Sequence, residues 1–274
     1  MKIKRAVSLL TLEKIKDIDY LFYLLNKNNI NYIELPITLL FKNFKYNKRK
    51  AYNFLKKLKK HKLSVSSIQS IFYGKNYNIL NKKHHSRIIS HIEKVCKISK
   101  KLNAQNLIFG SPKNRIKNNL TISEADKISI QIFKKITVIC KRYKINFCLE
   151  PNARIYGCDY INKLSEAYKI LKKVNKKNFL INIDTGNISL EENLNLLPKL
   201  QNKHIGNFQL SEKNLKKIKI KNKKHYLILK EFNLKNNFVS LEQLNIKKNS
   251  VSQEIIKFNK ILNRLDDKYK KNNI

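Results

Sequence analysis

The chain has 274 residues, 42% of them hydrophobic, which suits one large domain with a substantial core. Its 59 Lys and Arg against 19 Asp and Glu give a formal charge of +40, but the lysines lie along helix faces such as Lys56, Lys57, Lys59 and Lys60 rather than in one basic arm, so nucleic acid is not expected as a partner. No stretch approaches the roughly 18 uncharged apolar residues of a membrane span, no apolar segment of a signal peptide opens the chain, and Cys96, Cys140, Cys148 and Cys158 have no metal or disulfide spacing; a cytoplasmic protein with free thiols and no membrane partner is expected.

Along the chain, short apolar runs alternate with longer segments of helical periodicity. Strands are predicted at Ile3 to Leu9, Asn31 to Pro36, Leu63 to Ser70, Gln105 to Gly110, Ile145 to Glu150, Phe179 to Asp184, His204 to Leu210 and Phe238 to Glu242. Between them apolar residues recur at three- and four-residue steps, as in Ile88, Ile92, Val95, Ser99 and Leu102, and in Leu164, Ala167, Leu171 and Val174. Thr121 and Glu124 form a capping box at the start of one such helix. This alternation implies parallel strands with right-handed crossovers. Eight units in one chain point to a single (β/α)8 TIM barrel over residues 1–265, followed by a short basic tail, 266–274. An open doubly wound sheet is the alternative, but neither GxGxxG nor GxxxxGK[ST] occurs to support it.

The rare residues gather at one end of these strands. Of only five glycines and four prolines, Gly74, Gly110, Gly157, Gly186, Pro36, Pro112 and Pro151 follow strand ends. That is the end at which barrel enzymes carry their sites. Glu34, Glu150, Asp184 and Glu242 also stand at or next to the last position of apolar strands. Carboxylates so placed are unfavourable unless a cation or hydrogen-bond donors compensate them. An oxygen-rich cluster of this kind suits Mg²⁺ or Mn²⁺, with Zn²⁺ or Co²⁺ disfavoured but not excluded. Lys113 and Arg115 follow Ser111-Pro112 and form a candidate anion clamp for a phosphate or carboxylate. Gln69, Asn152, Arg154 and Tyr156 are further candidate substrate contacts, and Ser8 and Phe72 are compatible with lining the same mouth. His61, His84, His85, His91, His204 and His225 fall at no strand end and are expected on the solvated surface, so histidine acid–base and Ser-His-Asp catalysis have little support.

The runs QSIFYG (69–74), FGSPKNR (109–115), LEPNARIYGCDYI (149–161), NIDTGN (182–187), FQLSE (208–212) and VSLEQ (239–243) occur in barrel order. Together they resemble the sugar phosphate isomerase/epimerase family, the xylose-isomerase-like TIM barrels. The resemblance implies one divalent metal on Glu150, Asp184, Gln209 and Glu242. It also implies that Glu150 and Glu242 flank a substrate carbon as the catalytic pair. Two departures stand out. The family's usual residue at position 209 is His, and ketose 3-epimerases often carry His where this chain has Asn187. An amide oxygen suits a hard cation, so Gln209 favours Mg²⁺ or Mn²⁺. The related apurinic-site endonucleases need a histidine-rich multi-zinc site that this sequence lacks.

The function implied is a divalent-metal-dependent isomerase or epimerase of a sugar or sugar phosphate. It would abstract a proton next to a carbonyl and hold the enediolate on the metal. Lys113 and Arg115 would grip a distal anionic group. The alternatives are a lyase or dehydratase of a polyol or keto-acid on the same fold, or a non-catalytic barrel that binds a sugar or polyanion.

Overall fold

The eight apolar runs become eight parallel strands: β1 (Lys4–Ser8), β2 (Tyr32–Pro36), β3 (Ser64–Gln69), β4 (Asn106–Phe109), β5 (Asn146–Leu149), β6 (Phe179–Asp184), β7 (Ile205–Leu210) and β8 (Phe238–Leu241). Each strand pairs with the next, and β1 closes on β8. The computed structural model is thus a closed (β/α)8 barrel, and it describes residues 2–12, 17–194, 197–244 and 246–271. The helices are α1 (Ile18–Lys27), α2 (Ile37–Leu40), α3 (Lys48–Lys60), α4 (His85–Lys101), α5 (Ile122–Arg142), α6 (Leu164–Val174), α7 (Thr185–Glu191), α8 (Lys223–Leu229) and α9 (Val251–Lys271). The stretch 266–271 of the expected tail continues α9, and 272–274 lie outside the described residues. Arg5 of β1 ties α9 down, reaching Asn259 at 2.8 Å, Asn263 at 2.7 Å and Asp266 at 2.9 Å. The capping box is present: Thr121 N donates to Glu124 at 2.9 Å, and Glu124 N to the Thr121 hydroxyl at 3.3 Å.

Strand residues alternate between two surroundings, as the period of two requires. Val7, Ile33, Ile68, Leu107, Phe147 and Ile181 belong to one continuous apolar core shared with the helices. Phe109, Phe147 and Phe179 meet Phe133 of α5 with ring centroids 6.0, 5.9 and 5.1 Å apart. The intervening residues face the barrel interior, where Ala6, Phe238 and a small separate cluster of Ile108, Cys148 and Leu180 are apolar. The rest of that interior is polar: Ser8, Glu34, Ser67, Asn182, Asn207 and Ser240 are completely buried. A barrel normally fills this space with branched apolar side chains, so its polar filling points to the chemistry at the mouth.

Two bulges set the register of that filling. The β2–β3 ladder shifts between Ile33 and Glu34, which brings Glu34 opposite Ser67. The β6–β7 ladder shifts between Ile181 and Asn182, which brings Asn182 opposite Asn207 and Asp184 opposite Gln209. A bulge re-aims side chains by one residue, and here it turns polar residues inward in facing pairs. The second bulge falls at Gly206, where any Cβ would run into Cys148 Sγ and Leu180.

Candidate active site

Four carboxylates lie inside the barrel: Glu34 in β2, Glu150 immediately after β5, Asp184 at the end of β6 and Glu242 immediately after β8. Their relative exposures are 0%, 8%, 2% and 8%. Although the chain has 59 Lys and Arg, none of the four pairs with one among the described residues.

Amides and hydroxyls hold them instead. Glu150 Oε1 accepts from Asn152 Nδ2 at 2.7 Å and Asn187 Nδ2 at 3.0 Å, and its Oε2 accepts from Asn182 Nδ2 at 2.9 Å. Gly110 gives this carboxylate room, since a Cβ there would lie 3.2 Å from it. Asp184 accepts from the Ser211 hydroxyl at 2.6 Å and from Asn187 N at 2.7 Å. Ser211 is fixed in turn by Thr185, whose hydroxyl meets His225 at 3.0 Å, and His225 meets Glu212 at 3.0 Å. Glu242 Oε1 accepts from Gln69 Nε2 at 3.0 Å, and Gln69 is oriented by the Ser8 hydroxyl at 3.0 Å. Among the described residues nothing donates to the other Glu242 oxygen.

Burial drives all four carboxyls up in pKa, and the Arg115 guanidinium only partly offsets it at Glu150. Desolvation carries Glu150 to about 8, reinforced by the charge of Asp184. Desolvation also lifts Glu34 to about 7 against three hydrogen bonds that favour its anion. Glu242 stands well above the ordinary range through desolvation and then repulsion from Glu34, Glu150 and Asp184. Asp184 is raised by desolvation, with Ser211 and Asn187 opposing. Such a ring stays ionised near neutral pH only with a positive charge in its midst.

Glu150, Asp184, Gln209 and Glu242 all open onto one cavity of about 640 Å³ at the C-terminal mouth of the barrel. Gln69, Asn152, Asn187, Tyr156 and Lys113 line it too, with Phe72 and Leu215 as apolar wall. Tyr156 is fixed by Asn214 N, which donates to its hydroxyl at 2.9 Å. Ser8 reaches the site only through Gln69.

The model of the xylose isomerase-like TIM barrel family matches residues 22–268. The chain belongs to that family. No curated protein matches it in sequence. Among solved structures it is similar to the IOLI protein with a bound zinc atom (17% identity, TM-score 0.72, covering 97% of this chain and 99% of that one). It is also similar to a D-psicose 3-epimerase from Clostridium cellulolyticum H10 (14%, TM-score 0.72, 96% and 95%). A third is a 3-keto-D-glucoside 4-epimerase from E. coli (13%, TM-score 0.72, 95% and 99%). At these identities the likeness is one of fold.

Within that family fold, two of the expected substrate contacts lie elsewhere. Arg115 does not reach the cavity: it is completely buried behind the wall. Its Nη2 donates to the Glu150 main-chain oxygen at 2.7 Å and to Asn152 Oδ1 at 2.8 Å, and its Nε faces Cys158 Sγ at 3.2 Å. Ser111, in the left-handed region at φ 35°, turns the loop. Asn114 then pins it by donating to the main-chain oxygens of Lys75 and Tyr77 at 2.8 and 2.6 Å. The next side chain is thereby sent inward, and Lys113 alone keeps the mouth position expected for an anion clamp. Arg154 is exposed and ion-paired with Glu191 at 2.5 Å, off the cavity wall.

The histidines correct a second expectation, because His91 and His225 are buried rather than solvated. His91 continues the apolar face of α4 and contacts the Ile71 oxygen at 2.7 Å. Its three-residue step from Ile88 was a legible signal. Asn182 and Asn207 also lay in plain view, each two residues before a site residue on the same strand and therefore on the same face.

As the side chains stand, no three Asp, Glu, His or Cys residues among those described converge into a metal cage, since each carboxylate is turned onto its own donors. The donor set nonetheless fits a hard divalent cation, because three buried carboxylates and the amide of Gln209, all oxygen donors of the kind such ions take, line a common cavity.

Proposed function

We propose that the chain is a divalent-metal-dependent isomerase or epimerase acting on a sugar or sugar phosphate. The observation that carries this reading is that, in a chain of formal charge +40, none of the four buried carboxylates forms an ion pair with Lys or Arg among the described residues. Arg115 reaches only the main-chain oxygen of Glu150, and Lys75 and Lys113 stand on the cavity wall without an ion pair to any of these acids among the described residues, so a balancing charge inside the ring is left to be supplied from outside. The similar solved structures support the reading, being a zinc-bound IOLI protein and epimerases of D-psicose and of a 3-keto-D-glucoside.

Glu150, Asp184, Gln209 and Glu242 would hold the ion. When bound, a divalent cation polarises a substrate carbonyl and acidifies the C–H beside it. The chain's own residues divide the remaining work. Glu150, with both oxygens engaged by amides, is held in place. Glu242, with one oxygen free of donors among the described residues, is the side chain placed to take a proton from carbon. A protonated Glu150 would give its proton to the opposite face and yield the epimer, leaving Glu150 ionised and the abstracted proton on Glu242. Glu242 would instead return that proton to the neighbouring carbon, as the hydroxyl proton passes to the former carbonyl oxygen, to yield the isomer. Asn152, Asn187 and Gln69 offer amides to sugar hydroxyls, while Phe72 and Leu215 receive the C–H face of the ring. Lys113, with Lys75 also on the wall, is placed to attract a distal phosphate.

The test is a panel of ketoses with and without a distal phosphate, incubated with the Mn²⁺-loaded protein in deuterated water. The C–H signal beside the carbonyl of at least one member is expected to disappear as an epimer or isomer forms. Glu242→Gln should slow this exchange by at least ~100-fold, the ordinary contribution of a general base. A Mn²⁺-loaded protein that exchanges no member of the panel would contradict the reading.

A further inference from the structure

The amide at position 209 raises a problem that imidazole does not, because its two ends are almost the same size and opposite in polarity. With oxygen toward the cavity it is a ligand, and with nitrogen there it repels a cation. The surrounding bonds decide between the two. Gln209 Nε2 donates to Glu34 Oε1 at 2.6 Å, and Gln209 Oε1 accepts from Asn182 Nδ2. Asn182 is itself oriented by Asn207, whose Nδ2 donates to Asn182 Oδ1 at 2.8 Å and to Glu34 Oε2 at 3.1 Å. The Ser67 hydroxyl adds a third donor to Glu34 at 2.6 Å. All of these residues are buried, and the two bulges hold them in register.

Three amides in a row could run in either sense, and the acceptors around them choose: Glu34 takes a donor from each end of the row, and Glu150 Oε2 takes one from Asn182 in the middle. Reversing Gln209 would set its oxygen against Glu34 and its nitrogen against the nitrogen of Asn182. Reversing Asn207 would bring its oxygen against both Glu34 and Asn182 Oδ1. We infer that Glu34 is a positioning residue that fixes the polarity of the Asn207–Asn182–Gln209 amide chain, so that Gln209 presents oxygen to the cation and Asn182 presents N–H to Glu150. This rests on the metal reading proposed above, in which Gln209 is a ligand. Glu34 does not line the cavity and acts only through Gln209 and its neighbours.

Mn²⁺ alone, titrated calorimetrically, separates orientation from charge. Glu34→Gln is expected to weaken Mn²⁺ binding by about 10–100-fold, as outer-shell partners of metal ligands do. Glu34→Asp keeps the charge but shortens the reach to Gln209, and it should weaken binding by at least ~10-fold as well. In a Gln209→Ala background both effects should shrink to within about threefold, because the residue they act through is gone. Full affinity in Glu34→Asp, or equal losses in the two backgrounds, would overturn the inference and leave Glu34 as a distant charge. A metal-free arm reads the orientation directly from the Gln209 side-chain amide protons in ¹H–¹⁵N NMR, assigned by their loss in Gln209→Ala. They should move upfield in both Glu34 variants when the bond to the carboxylate is lost, and unchanged signals would overturn the inference. A wild-type protein that binds no Mn²⁺ would sink the metal reading instead, while the NMR arm still decides the role of Glu34.

Discussion

In the presence of a chelator, the protein is expected to lose stability as the pH rises from 6.5 to 8.5, and Mn²⁺ is expected to restore it. Glu150 and Glu34 have folded-state pKa values of about 8 and about 7, against an ordinary 4.5. A carboxyl raised in this way favours folding fully below its unfolded pKa and loses that contribution as the pH climbs through its folded value. Each proton retained only by the folded state corresponds to about 1.4 kcal/mol per pH unit. Across the window the loss is roughly 2–4 kcal/mol, or on the order of 5–10 °C in melting temperature for a chain of this size. His85, His91 and His204 lie below their ordinary 6.5 and work in the opposite sense, most strongly below that pH and fading within about one unit above it, which is why the window begins there. Mn²⁺ competes with the Glu150 proton for the same oxygens, so the melting-temperature gain it brings should be larger at pH 8.5 than at 6.5. Equal stability at the two pH values in chelator would show that the carboxylates are not held as described.

Arg115→Ala is expected to act on folding before it acts on catalysis. The side chain is the largest among those fully buried, and its Nη2 bridges the main chain of Glu150 to Asn152. Removing it leaves two buried oxygens without a donor and a large void beside Cys158, together about 3 kcal/mol or more. Urea unfolding measures this directly. The loss of Asn152's anchor should also loosen Glu150, so whatever activity remains should fall alike on phosphorylated and unphosphorylated sugars. Wild-type stability combined with a loss confined to phosphorylated substrates would return Arg115 to the anion clamp that its place after Ser111-Pro112 suggests.

That contrast marks where the sequence stops being informative. The strands were legible to within a residue at each end, because each is a short run with apolar residues toward the helices, set between longer segments of helical periodicity. Spacing likewise brought Glu150, Asp184, Gln209 and Glu242 to one end. What spacing does not encode is the direction of a loop. The turn at Ser111 and the pinning of Asn114 decide that Lys113 faces the mouth and Arg115 the interior, although the two are neighbours in one basic loop. The link from Glu34 to Gln209 was hidden for a related reason. It depends on two bulges, each a one-residue slip that breaks the alternation from which strand faces are read. His225 was hidden by distance along the chain, since its partner Thr185 lies 40 residues away.

The most direct measurement of the central claim is a Mn²⁺ titration of the chelator-stripped protein at pH 8, with Asp184→Asn as the comparison. A surface carrying +40 repels adventitious cations, so a bound ion reports on the carboxylate ring. The account requires one ion per chain, with affinity at least ~100-fold weaker once a ligand charge is removed. No binding by the wild-type protein, or binding that Asp184→Asn leaves unchanged, would contradict it.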